Sequence, residues 1–386
     1  MAWKRGDAGR AGLSRRTALR LAGGGVGVMA VAAGRGVWAQ DATAVPDPVA
    51  DPVATAAADG TPVVRGTPPV GGTPVGAGGT TTIYSGRNED LIGPVLARCQ
   101  ALTGVKAEVR YGDSPEMAAT ILEEGDNGPA SLFISQDAGL LGVLAREGRL
   151  AELPADLLER VDPRFRSPTG QWIGISGRAR VAVYNTDLLT AADLPASVLD
   201  LTDPRWRGQV GWAPGNASFL AFITALRTLR GEDAARAWLE GMIANEPVAF
   251  DGNGAIVRAV GAGELSLGLV NHYYMYEIKE EEGEDFPIAN HFFAGGDPGS
   301  LVNVAGLGIL TGAPDAAPAL AIADCLLGTE AQTAFAAETY EYPLIAGIEP
   351  AAGLPPLADI ESPDLDLTDL ADLEGTQALL EDIGLV

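Results

Sequence analysis

From Thr81 to the C-terminus, short apolar runs alternate with stretches of helical period, and few architectures accommodate that order. Thr81–Tyr84, Val105–Tyr111 and Leu132–Ile134 read as strands. The turn Ser85-Gly86-Arg87-Asn88 leads into a predicted helix over 89–103, and Ser114-Pro115-Glu116 opens another with cap and first-turn proline in the expected order. A third helix runs to Leu144. Strands and helices interleaved at this spacing predict an α/β fold with mixed, mostly parallel sheets. Further along, Arg178–Tyr184, Val210–Trp212, Leu265–Val270 and Val302–Leu310 read as strands. Helices are predicted over 216–229, 234–243, 256–261, 318–327, 330–338 and 376–383.

The first eighty residues do not share this pattern. Ser14-Arg15-Arg16-Thr17-Ala18-Leu19-Arg20, then a glycine-rich apolar stretch and Val37-Trp38-Ala39, have the order of a twin-arginine export signal over 1–39. The apolar stretch is short for a bilayer span, and no cysteine follows it to take a lipid. Residues 40–80 are rich in Pro, Gly, Ala and Thr, with Gly-Thr-Pro recurring at 60, 66 and 72. That composition buries too little surface to offset chain entropy, so a linker is expected. Kept polyproline-like at about 3.1 Å per residue, it spans on the order of 100 Å.

Charge narrows the partners. The chain carries a net charge of −25, and residues 40–386 alone hold 19 basic and 50 acidic residues, a net −31. Nucleic acid and acidic membrane surfaces are excluded as partners. Cys99 and Cys325 are the only cysteines. An exported protein can pair them, while helical positions among apolar neighbours suit buried free thiols equally well, and the sequence leaves both open.

Nothing in the sequence marks a catalyst. Neither His272 nor His291 has metallohydrolase spacing, and no serine-nucleophile elbow or phosphate-loop signature occurs. Binding chemistry is better represented. Asn271-His272-Tyr273-Tyr274 joins an apolar strand to a helix start, where adjacent side chains lie roughly 100° apart and both hydroxyls can converge. The positive end of the helix dipole favours phenolate, and paired phenolates suit a hard trivalent cation such as ferric iron. Core or rim aromatics are the plainer account of the same doublet. Asn216-Ala217-Ser218 and Gly252-Asn253-Gly254 are helix-start loops able to take an oxyanion or simply to cap their helices. Arg87, Arg178 and Arg180 stand out in so acidic a chain.

Segments Tyr84-Ser85-Gly86-Arg87, Ile175 to Tyr184, Trp206 to Gly211, Asn271 to Tyr274 and Tyr340-Glu341-Tyr342-Pro343 occur in an order that resembles periplasmic ferric-iron-binding proteins of ABC importers. The resemblance covers about 300 residues and implies a two-lobed periplasmic-binding-protein fold with two hinge crossover strands. Lobe 1 would comprise 81–180 and 304–355, and lobe 2 would comprise 181–303 and 356–386. It implies Fe(3+) as transported ligand, held by Tyr273 and Tyr274 with phosphate or carbonate as synergistic anion. Asn216, Ala217, Ser218, Asn253 and Asn271 would hold the anion, assisted by Arg87 and Arg178. Many members carry a histidine and a glutamate where this chain has Asn88 and Gln136, so neighbouring Glu89 or Asp137 is a candidate carboxylate ligand. His272 is expected to face away from the metal. The protein would be a monomer in the periplasm or on the outer cell surface, delivering its ligand to a membrane permease. Two rivals stand beside this: a same-fold carrier of a phosphonate or phosphate ester without metal, and an enzyme of unknown class.

Overall fold

The computed structural model describes residues 78–386. The export signal over 1–39 and the linker up to residue 77 lie outside the described residues. Nine strands form one sheet: β1 (Thr80–Ser85), β2 (Lys106–Tyr111), β3 (Leu132–Ser135), β4 (Ile173–Asn185), β5 (Val210–Trp212), β6 (Val248–Ala249), β7 (Leu267–Asn271), β8 (Ile288–His291) and β9 (Val302–Ile309). Their spatial order is β2-β1-β3-β9-β4-β7-β5-β6, with β8 also on β4. The sheet is mixed, but parallel pairs are four of eight rather than the majority. Every antiparallel pair involves β4 or β9, and the parallel pairs lie outward of them.

Strand β4 joins two hydrophobic regions. Its residues 173–179 pair with β9, and 180–184 pair with β7. The first half packs in a large core with Ile83, Phe133, Leu307 and Phe335. Beyond residue 180 the side chains alternate: Val181 and Val183 join one cluster with Ile256 and Val270, while Ala182 joins another with Trp212 and Leu269. That period of two puts the clusters on opposite faces of the second half-sheet. Segment 356–386 divides between the two regions. Ile360, Leu367 and Leu370 pack in the first core and Leu379 and Leu380 in the second region, although the whole segment was expected in lobe 2.

Two close contacts shape the site's surroundings. Cys99 and Cys325 form a disulfide that ties the helix Glu89–Thr103 to the helix Ala316–Leu326, with Cα atoms 5.6 Å apart, which answers the question their spacing left open. A Cβ on Gly268 of β7 would meet Ile256 at 2.1 Å. Only glycine lets the helix Asn253–Gly261 settle so close to the strand. No helix among the described residues is long and apolar enough to cross a membrane.

Candidate functional site

Strand β7 ends at Asn271, and the helix Tyr274–Glu282 begins three residues later. Tyr273 occupies the N-cap position with helical backbone angles, so the doublet stands at the first turn as its spacing predicted. The rings lie 4.4 Å apart between centroids at 30°. Tyr273 is buried, and burial first, then the adjacent Tyr274, pushes its phenol well above the ordinary range. Arg178 acts in the opposite direction.

Arginines 178 and 180 are two apart on β4 and therefore share a face. Both line a cavity of about 30 Å³ with Gln136, Asp137, Ala217, Ser218, Asn271 and Asn303. Arg180 is only 4% exposed. Its Nη1 donates to Ser218 Oγ at 2.9 Å, and its guanidinium lies over Phe222. No carboxylate pairs with it among the described residues. Burial lowers it to about 10, against the attraction of Tyr273 and Tyr274. A nearly buried cation of this kind requires a counter-charge.

The helix-start loop is internally braced. Asn216 Oδ1 accepts from the Ser218 backbone N–H at 2.9 Å and from Ser218 Oγ at 2.6 Å. Asn253 Nδ2 donates to Asn216 Oδ1 at 3.4 Å and to Ser218 Oγ at 3.3 Å. Asn216 thus caps the helix Ala217–Arg230, while Ala217 and Ser218 face the cavity. Asn253 supports the loop without lining the cavity, whereas buried Asn271 lines it, opposite Arg180 in register.

Other expected participants are placed differently. Arg87 is fully buried, its Nη2 bonded to Glu341 Oε2 at 2.8 Å and its Nη1 to Ser176 Oγ at 2.9 Å, so both Nη groups are turned to the protein and the residue does not line the cavity. Asn88 is exposed and caps its helix through a 3.0 Å bond to the Asp90 N–H. Glu89 is exposed at the start of the helix Glu89–Thr103, where it raises the Tyr111 phenol behind burial of that ring, and it does not line the cavity. Gln136 and Asp137 do line the cavity. Gln136 Oε1 is buried without a hydrogen-bond partner. Asp137 caps the helix Ala138–Arg146, and burial raises its carboxyl against the pull of Arg178. Of the two carboxylates considered, only Asp137 lines the cavity.

Behind the doublet, His272 is fully buried. The Ala179 N–H donates to its Nδ1 at 3.1 Å, which leaves the ring proton on Nε2 to donate to the Tyr340 carbonyl at 2.7 Å. Burial lowers it to about 4, so at neutral pH it is uncharged, and both nitrogens are committed away from the cavity. Glu341 lies between Arg87 and Arg178, the latter at 3.9 Å. Burial raises its carboxyl, but the two guanidiniums outweigh that and hold it below its ordinary value.

Arg180, Asn303 and Glu341 were not in the expected site. Arg178 and Arg180 at i and i+2 signal a shared face, and that pattern could have placed Arg180. Asn303 and Glu341 reach the site only through the return of the chain. Among the described residues no group of three or more His, Cys, Asp or Glu side chains is arranged around a common point.

Comparison with known proteins adds a consistent pattern. The family model described as bacterial extracellular solute-binding protein matches residues 127–365. A Fe(3+)-binding periplasmic protein of Serratia marcescens is 31% identical over 290 residues, 75% of this chain and 86% of its own length. The major ferric iron-binding protein of Neisseria meningitidis serogroup B is 31% identical over 308 residues, 79% of this chain and 92% of its own. The crystal structure of iron-bound HitA from Pseudomonas aeruginosa superposes with a TM-score of 0.74 at 34% identity, covering 79% of this chain and 99% of that one.

Proposed function

This chain belongs to the bacterial extracellular solute-binding protein family, and from that premise we propose that it captures ferric iron with a small oxyanion and hands it to an ABC-importer permease. The observation that carries the proposal is the phenol pair at a helix start beside Arg180, a buried cation with no carboxylate partner. Relatives whose names state ferric-iron binding support it.

Tyr273 and Tyr274 supply the metal's anionic oxygens. A trivalent ion displaces their protons, and the helix N-terminus and nearby arginines stabilise the resulting phenolates. Asp137, with Gln136 Oε1 beside it, supplies a further oxygen in place of the glutamate and histidine common among iron-binding relatives. Arg180, Arg178, Ser218, the Ala217 N–H and Asn271 receive the anion, carbonate or phosphate. Asn216 and Asn253 hold their loop in place. Arg87 stabilises the fold through Glu341. The two lobes close by bending at β4 and at the start of β9. The protein acts as an exported monomer and not as an enzyme, with residues 1–39 as its twin-arginine signal.

Adding ferric citrate to purified protein is expected to produce a visible tyrosinate-to-iron charge-transfer band that disappears in Tyr273→Phe. Tight binding of a phosphate ester by metal-free protein, with no such band, would instead favour the metal-independent carrier, for which the cavity arginines alone suffice.

A further inference from the structure

One residue outside the cavity touches the tyrosine-bearing helix at two points and the turn that leads into it at a third. Tyr340 follows the helix Thr329–Glu338, which packs in the first core through Phe335. Its neighbours are fixed to the same region: the Glu341 N–H donates to the Phe335 carbonyl, and Tyr342 exchanges backbone bonds with Gly177. From this anchorage the Tyr340 carbonyl accepts the His272 Nε2 proton at 2.7 Å. Its ring stacks on Tyr276 at 5.1 Å and 19°. Its hydroxyl donates to Glu280. Tyr276 and Glu280 are four residues apart and share one side of the helix that starts with the phenol pair, while His272 stands in the turn just before its N-cap.

Tyr340 also has φ of +54°, one of two non-glycine residues with positive φ among those described. A bulky side chain adopts that conformation only where its surroundings enforce it. Here the surroundings are Tyr342 against the His272 ring at 4.8 Å and the ion pair of Glu341. From this turn the carbonyl meets His272 while the ring and hydroxyl meet the helix.

We propose that Tyr340 is a positioning residue that clasps the tyrosine-bearing helix to the first core and thereby sets where the Tyr273 and Tyr274 oxygens meet the metal. The inference rests on the iron-binding function proposed above. Metal ligation tolerates errors of only about 0.2 Å, so loosening the clasp weakens ligation without removing a ligand.

The test uses the charge-transfer band of the ferric protein and the rate at which a competing chelator strips the iron. Tyr340→Ala is expected to shift or weaken the band and to release iron about tenfold faster. Tyr340→Phe, which keeps the stack and the carbonyl, is expected to stay within about twofold of the unsubstituted protein. Should Tyr340→Ala fold poorly, Tyr276→Leu with Glu280→Ala removes two of the three contacts from the helix side and is expected to speed release likewise. A normal band and normal release rate in folded Tyr340→Ala, or in that double variant, overturn the inference alone. No band in the unsubstituted protein overturns the iron proposal and this inference with it.

Discussion

Glu341→Gln tests whether the buried charges behind the site are structural. The carboxylate is 2.8 Å from fully buried Arg87 and 3.9 Å from nearly buried Arg178. Removing its charge strands the fully buried Arg87 guanidinium and leaves Arg178 with Asp137 as its carboxylate neighbour. Breaking a buried pair from one side costs about 3–5 kcal/mol. Over the roughly 300 residues described, an unfolding entropy of about 2.1 cal/mol/K per residue converts that loss to a Tm drop of roughly 5–8 °C. Arg87→Met leaves Glu341 still beside Arg178, so its cost should be about half as large. The pH dependence supplies an independent check. Because the folded-state value of Glu341 lies below its unfolded value, its contribution is present above the unfolded pKa and is lost as pH falls through the folded one. The gap between Glu341→Gln and the unsubstituted protein should therefore narrow on acidification. Scanning calorimetry at pH 7 and in mild acid measures both effects. A Glu341→Gln cost below about 1 kcal/mol, or no larger than that of Arg87→Met, would refute the reasoning.

Two further outcomes concern the same lobes. Glu277 is pushed up to about 7, by burial first and then by Glu341, Glu281 and Glu280. A raised acid destabilises the fold as pH climbs from its unfolded value through the folded one, so Glu277→Gln should gain on the order of 1–2 kcal/mol at pH 8 and nothing at pH 4, as read by urea unfolding. Reducing the Cys99–Cys325 bridge, which spans 226 residues of sequence, should lower stability by roughly 2–5 kcal/mol. An unchanged urea midpoint in reductant would argue that the two helices are held by packing alone.

The elements most legible in the sequence are those whose apolar runs have a definite period. Thr81–Tyr84, Leu132–Ile134 and Val302–Leu310 read as strands because they are short, apolar and bounded by polar turns. Strand β4 was legible only from Arg178, because two glycines and a serine break the apolar run over Ile173 to Gly177 although the strand is buried there too. Strands β6 and β8 escaped notice because Val248 and Ala249 are exposed and most of β8 is half-buried, so neither shows an apolar face. At the site, the tyrosine doublet and the Asn216 loop depend on local helix starts, which sequence spacing reports directly. Arg87 misleads for the opposite reason: its partner Glu341 is 254 residues away, and no local pattern discloses that pairing.

Strand β9 lies between β3 and β4 in the sheet although it is the last of the nine strands in the chain. A nascent polypeptide emerging in order can pair β1 with β2 and β3, but β4 has no neighbour on that side until residues 302–309 arrive. Cys325, the later half of the disulfide, arrives later still. Assembly of the first half-sheet is therefore deferred to the end of synthesis, and C-terminal truncation before residue 302 should leave a ribosome-bound fragment with an unclosed seam, vulnerable to protease.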